Sequence, residues 1–237
     1  MSNLYYESAY RPLLALDCVI FGYEKGTLKV LLSRRKQDPY KGAWGLATGF
    51  LHAGESLDEA ASRVLKKQTG LDNIYMEQLS IFGEVDRDPT DRVVSIVYYA
   101  LVKADLYDQA VLEDKQAAWF PITDLPRLMF DHEDMIQKSW GKLRRKSRYQ
   151  PIGFELLAEK FTLPELQSLY EAIHQKQFDK RNFRKKILAT NLLIKLDEKQ
   201  KGVSKKGAYY YTFIPDKYDE LVQAGFNFEL KSMAFGQ

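Results

Sequence analysis

The chain has 237 residues, enough to bury a sizeable core in one or two domains, and its 45% hydrophobic and 28% charged content is that of a globular protein, which argues against disordered and fibrous classes. One cysteine, Cys18 in the apolar run Leu13–Phe21, excludes an intrachain disulfide and reads as a buried, inert thiol. The formal charge of +3 is unevenly spread, because residues 1–150 balance 21 basic against 21 acidic side chains while residues 174–206 hold 11 basic against 3 acidic, a bias that suits a polyanionic partner.

No apolar run is long enough to span a bilayer, so no membrane partner is expected. The opening Met-Ser-Asn-Leu-Tyr-Tyr-Glu lacks the basic segment and apolar core of a signal peptide, which gives the expectation of a cytoplasmic location.

In chain order, Leu13–Tyr23 and Leu28–Arg34 predict two strands, joined at a Lys-Gly turn. Asp17 is the odd member of the first strand, since an acid among apolar neighbours needs partners. It suits either a structural hydrogen bond or a contact to a ligand hydroxyl. After Arg34-Arg35-Lys36 come Gly42, Trp44, Gly45 and Leu46, and then the stretch Gly49–Leu71. Ser56 with Glu59 three residues on makes a capping box for a helix running to about Thr69, with Leu57, Ala60, Ala61, Val64 and Leu65 on its apolar face and Gly70 ending it.

That stretch resembles the Nudix box, G-x5-E-x7-R-E-U-x-E-E-x-G-U with U apolar. Gly49, Glu55, Arg63, Leu65, Gly70 and Leu71 fall in register, and Trp44-Gly-Leu46 resembles the approach to the box, although Ala47 and Thr48 replace the usual proline and first glycine. The glutamate positions hold Val64, Lys67 and Gln68. They stand at i, i+3 and i+4 and so share one helical face, where carboxylates would hold Mg²⁺ against a pyrophosphate. Valine offers no ligand, lysine repels a cation, and a neutral amide is a weak donor. The expectation is therefore no catalytic residue, no metal site and no cofactor. Glu55, Asp58 and Glu59 offer a displaced metal site only as the weaker alternative to acids that complement a helix dipole.

Ile74–Phe82 and Val93–Val102 predict strands on either side of a loop dense in Asp and Arg, from which Asp86, Arg87 and Arg92 join Asp17, Arg34, Trp44 and Phe50 as candidate effector contacts. Trp119–Pro121 predicts a short strand. Asp131 is placed to cap a helix from about His132 to Lys146, with His132 a cap or packing residue. The basic Leu143–Gly153, containing Pro151, marks a boundary between a first domain of residues 1–148 and a second of 149–237.

The second domain opens with a short predicted helix near Phe154–Lys160. Thr162, Pro164 and Glu165 then start another, with Leu166, Leu169, Tyr170 and Ile173 at helical spacing. Asp179 caps a third, in which Phe183 and Ile187 face inward while Lys180, Arg181, Asn182, Arg184 and Lys185 face out, the distribution of a recognition helix. Leu192–Leu196 and Ala208–Ile214 predict a hairpin whose connection carries Lys199, Lys201, Lys205 and Lys206. Three helices and a basic hairpin make a winged helix-turn-helix. Tyr209, Tyr210 and Tyr211 fit alternating burial in a strand.

Together, Asp86-Arg-Asp-Pro89 leading into Arg92–Tyr98, Phe130-Asp-His132, and Phe161–Tyr170 leading into Asp179–Arg184 are similar to the Nudix-related transcriptional regulators. The resemblance implies an α+β chain: a Nudix α/β/α sandwich with a mixed sheet that senses a metabolite, then a winged helix. It also implies a homodimer that binds a palindromic double-stranded DNA operator, as a repressor released by its effector. One branch of that family answers to ADP-ribose and controls NAD metabolism. Another, which this chain resembles more closely, answers to sugars such as L-arabinose. The expectation is a sugar-responsive repressor, with an ADP-ribose-responsive regulator or a Nudix hydrolase as the alternatives.

Overall fold

The computed structural model describes residues 11–104, 109–150, 152–200, 207–215 and 217. By packing, the described residues part into two compact units, the first comprising 11–21, 29–100 and 109–139, the second 22–28, 101–104 and the described residues from 140 on.

The first unit is built on a seven-stranded mixed sheet whose central path runs β3 (Trp44–Gly45), β2 (Thr27–Arg34), β1 (Leu13–Glu24), β6 (Val93–Lys103), β5 (Glu77–Phe82). Strand β4 (Ala47–Phe50) pairs antiparallel with β1, setting Asp17 opposite Thr48, and β7 (Ala117–Pro121) pairs antiparallel with β2. The eight successive residues 15–22 of β1 are all buried, the pattern of a strand covered on both faces, and this explains why the segment is apolar without alternation. Asp17 is the exception inside it.

Helix α1 (Leu57–Thr69) has the expected ends. Ser56 accepts the Glu59 N–H, the Glu59 carboxylate accepts from the Ser56 backbone, and Gly70 closes the helix at a φ of 79°, a left-handed conformation that glycine adopts without strain. Ala60, Ala61, Val64 and Leu65 are buried against the sheet. A short helix, α2 (Gln109–Asp114), precedes β7; it lacks a predictive signature in the sequence and was not expected. Strand β5 begins three residues later than the apolar run suggests, at Glu77 rather than Ile74. Helix α3 (His132–Tyr149) continues past Lys146, so the basic stretch 143–149 is helical rather than connecting chain.

In the second unit, the last turns of α3 pack with the elements that follow, and Trp140 Nε1 donates to the Ile173 carbonyl at 2.7 Å. The helix expected near Phe154–Lys160 is only a 3₁₀ turn at Phe154–Leu156, followed by β8 (Phe161–Thr162). The segment is rich in helix formers, and Leu156 and Leu157 are buried, yet the chain leaves the turn at Leu157 in an extended conformation, with φ of −107° and ψ of 162°. Helix α4 (Leu163–His174) carries a complete capping box between Thr162 and Glu165, and Leu166, Leu169, Tyr170 and Ile173 are buried. Helix α5 (Lys180–Ala189) is capped by Asp179, which accepts the Asn182 N–H at 2.8 Å, and buries Phe183 and Ile187. The hairpin β9 (Leu193–Lys199) and β10 (Tyr209–Phe213) completes a three-stranded sheet in the order β8-β10-β9. Tyr211 is buried while Tyr209 and Tyr210 are half-buried, and the Phe154 ring stacks on Phe213 with centroids 3.8 Å apart. Among the described residues no helix is long and apolar enough to cross a membrane.

Candidate functional site

The first unit holds a cleft of about 370 Å³ bounded by β1, the exit of β2, β4, α1, the loop after β5 and the segment entering α3. Asp17, 1% exposed, is one of its buried polar groups. Ser95 Oγ donates to its Oδ2, and Arg87 Nη2 stands 4.0 Å from the same oxygen. Its Oδ1, which faces His132 Nε2 at 3.4 Å, has no hydrogen-bond partner among the described residues. Such a group inside a cleft invites a donor from a ligand, because an unsatisfied buried carboxylate oxygen carries a desolvation cost.

His132 completes this buried cluster. Its Nδ1 accepts the Leu46 N–H at 3.0 Å, so in the neutral ring the proton sits on Nε2, toward Asp17. Burial lowers its pKa, while Asp17 and Asp131 pull the other way and Arg87 and Arg35 add to the lowering. Asp131 uses both carboxylate oxygens on Arg87, accepting from Nε at 2.9 Å and Nη2 at 2.7 Å. The carboxylate expected to cap α3 thus anchors an arginine, and that anchor directs Arg87 inward.

Of the other effector candidates, Arg34 and Phe50 line the cleft, whereas Trp44, Asp86 and Arg92 do not. Trp44 packs edge-on against Phe120 and carries the Arg34 guanidinium over its ring at 4.4 Å. Arg92 braces its own loop by donating to the Gly83 and Glu84 carbonyls, and Asp86 is exposed. The cleft also takes in Arg35, which the sequence offers beside Arg34 as a partner for a pyrophosphate, and Lys36, Arg63 and Lys67, which sequence reasoning did not select as effector contacts. The run Arg34-Arg35-Lys36 at the end of a strand was a signal for the first two; for Lys67 the signal was its place on the face of the lost glutamates. With Arg34 and Arg87, these make six cationic side chains around the cleft, against the carboxylates of Asp17 and Asp88.

The box positions are closed to metal by their surroundings as well as by their chemistry. Val64 is buried at 2% exposure, and a Cβ placed on Gly49 would meet its Cγ2 at 2.8 Å, so position 49 must be glycine. Gln68 Nε2 donates to the Thr48 carbonyl at 3.0 Å. The three acids of the displaced-site alternative are all engaged. Glu55 accepts from Arg63 Nε at 2.7 Å and from the His52 N–H at 2.8 Å, Glu59 holds the cap, and Asp58 accepts from Tyr98 Oη at 2.7 Å. The hydrogen bond from Arg63 chiefly holds the Glu55 carboxyl down to about 2. Among the described residues no cluster of three His, Cys, Asp or Glu side chains is arranged to hold a metal. Cys18 is buried, its Sγ facing the Ala61 carbonyl at 3.7 Å, and burial pushes its thiol pKa up.

The second unit presents a different surface. Lys180, Arg181, Asn182, Arg184 and Lys185 are all exposed on α5, with Phe183 and Ile187 beneath them. On the hairpin, Lys199 is exposed and its Nζ lies 4.5 Å from the Tyr209 ring centre, opposite Lys195 at 3.6 Å. Lys201, Lys205 and Lys206 lie outside the described residues.

An α/β/α sandwich with a Nudix-box loop and helix, followed by a capped helix pair and a hairpin, defines a Nudix domain joined to a winged helix. The NUDIX domain family matches residues 11–139 and the NrtR DNA-binding winged helix domain family matches residues 153–213, and the chain belongs to the Nudix family in its NrtR-type form. It is similar to the ADPR responsive transcriptional repressor NtrR of Acinetobacter baylyi, with 33% identity over 220 residues, 91% of this chain and 88% of that protein. The crystal structure of Shewanella oneidensis NrtR complexed with a 27mer DNA matches with a TM-score of 0.78 at 31% identity, covering 92% of this chain and 97% of that one. The NUDIX domain of the same Shewanella protein complexed with ADP ribose matches with a TM-score of 0.50 at 33% identity, over 59% of this chain and 94% of that one. The ADP-ribose pyrophosphatase of Methanocaldococcus jannaschii is 37% identical over 133 residues, 56% of this chain and 75% of that enzyme.

Proposed function

We propose that this chain is an ADP-ribose-responsive transcriptional repressor whose Nudix domain binds the effector without hydrolysing it. The observation that carries the reading is the pairing of a cation-walled cleft with a Nudix-box face from which all three glutamates are missing, at Val64, Lys67 and Gln68. An anionic diphosphate suits Arg34, Arg35, Lys36 and Lys67 of that wall, whereas Arg63 and Arg87 are already paired with Glu55 and Asp131. Asp17, with its open Oδ1, suits a ribose hydroxyl or an adenine amine. Phe50, 49% exposed at the mouth of the cleft, suits contact with a ring face.

The relatives reported above that name a small molecule name ADP-ribose, and they favour it over the pentose sugar that the arabinose-regulator resemblance implied. A sugar has no charge for the cationic wall to meet. The hydrolase alternative draws on the likeness to a pyrophosphatase, but the metal-binding carboxylates of the box are absent here.

In this reading residues 149–237 bind a palindromic operator as part of a cytoplasmic homodimer. Helix α5 enters the major groove, where Arg181 and Asn182 reach base edges, and Lys180, Arg184, Lys185 and the hairpin lysines meet phosphates. The effector releases DNA because it favours one of two states of the dimer. The test is fluorescence anisotropy of operator DNA titrated with the full chain, with and without ADP-ribose or L-arabinose. Release by ADP-ribose with no turnover of it in Mg²⁺ is the expected result. Release by arabinose alone, or turnover above background, would overturn the reading.

A further inference from the structure

We propose, on the basis of the effector reading above, that Lys67 is a built-in cation that takes over the charge-neutralising role of a divalent metal against a diphosphate, so that effector binding does not require metal. Three positions of α1 share the face on which a Nudix box carries its glutamates. Val64 is buried and packs against the α-carbon of Gly49. Gln68 spends its amide on the Thr48 carbonyl. Lys67 alone of the three sends a charged, exposed head group along the wall of the cleft.

The neighbouring charges sharpen the assignment. Arg63, one turn before Lys67, is held by both Glu55 oxygens and by the Phe50 carbonyl, and Arg87 is held by Asp131. Their charges are largely answered within the protein. Lys67 forms no ion pair among the described residues, because the acids of α1, Asp58 and Glu59, lie more than two turns away and are engaged there, Glu59 at the cap and Asp58 with Tyr98. Arg34 and Arg35, whose guanidinium groups lie 4.4 and 5.2 Å from the Trp44 and Phe130 ring centres, also line the cleft. An anion in the cleft therefore meets positive charge both from the end of β2 and from α1, where Lys67 supplies the ammonium. The same ammonium repels Mg²⁺ from the place where a metal would sit.

The experiment is isothermal titration of the full chain with ADP-ribose and, separately, with inorganic pyrophosphate, in EDTA and in millimolar Mg²⁺. Wild type should bind both ligands in EDTA, with affinities that Mg²⁺ changes less than about twofold. Lys67→Gln should weaken both about tenfold in either buffer without moving the thermal midpoint, the loss expected for one charge-assisted contact. Lys67→Glu should bind more weakly still in EDTA and recover partly in Mg²⁺, because the carboxylate can recruit the metal that the ammonium excluded. Wild-type affinity that rises tenfold with Mg²⁺, binding of neither ligand in EDTA, or Lys67→Gln binding like wild type would overturn the inference. Lys67-dependent binding of pyrophosphate without binding of ADP-ribose would uphold it and remove ADP-ribose as the effector.

Discussion

Helix α1 starts where Ser56 accepts the Glu59 N–H, and helix α5 starts where Asp179 accepts that of Asn182. Each lays apolar side chains on its own core, Val64 and Leu65 in one, Phe183 and Ile187 in the other. Their remaining faces differ. On α1 the positions that carry chemistry in a Nudix enzyme are packed, tied or changed in charge, while Glu55 and Arg63 survive as an ion pair that shapes the loop. On α5 five polar or cationic side chains stand exposed and in order. The contrast teaches that the residues by which a motif is recognised include many that hold the backbone, and those persist when the reactive ones do not.

The comparison can be broken first at the buried face of α5. Phe183 is 1% exposed, with the Tyr170 ring edge-on at 5.5 Å. Phe183→Ala should destabilise the second unit by about 3–5 kcal/mol, seen in chemical denaturation, and abolish DNA binding with it. The exposed face is tested by Arg181→Ala with Arg184→Ala. That double variant should keep its melting temperature yet lose operator affinity by about a hundredfold, with the slope of log K against log salt shallower by about two. Unchanged affinity would remove α5 from the interface.

Acid should separate the two units. Burial, aided by Arg148, Arg144 and Lys176, lowers the His174 pKa to about 4, and its Nε2 lies 2.8 Å from Ser147 Oγ. A depressed histidine favours the folded state while neutral. Its contribution, about 2 kcal/mol, is complete above the unfolded value near 6.5 and lost as pH falls toward 4. The Glu55 contribution has the same sign but a lower window, present above the ordinary carboxylate value and lost as pH falls toward about 2. Denaturation followed between pH 7 and 3 should show the second unit weakening first, and His174→Gln should flatten that early decline. The smallest effects come from the caps. Ser56→Ala and Asp179→Ala should each cost about 1 kcal/mol in thermal stability, but only Asp179→Ala should also weaken DNA binding.

Much of the fold could be read because its signals are local. Ser56 with Glu59, Thr162 with Glu165, and Gly70 each announce a helix end within four residues, and the structure has all of them. The 3₁₀ turn at Phe154–Leu156 and helix α2 are too short for periodicity to separate from a loop or from a longer helix. The cleft was less legible because its walls include residues 17, 34–36, 63, 64, 67, 68, 87, 129, 130 and 132, which only the tertiary fold brings together. Arg87 and Arg92 illustrate the difficulty. They share one loop and one chemistry, and Asp131, more than forty residues on, draws only the first inward. Asp17 was visible as a misfit, since an acid in a fully buried strand advertises partners, but the identity of those partners, Ser95, His132 and Arg87, was not.

The contacts of Gln68 and Val64 bear on the reversibility of this protein's history. Glutamate reintroduced at position 68 would set a carboxylate against the Thr48 carbonyl that now receives an amide proton. At position 64 it would press a charge where a methyl group lies on Gly49. Val64 and Gln68 are both part of the local packing, so a glutamate at either position costs stability. The residues now at these two box positions are thereby held in place by packing and by hydrogen bonding, whatever ligand the cleft takes.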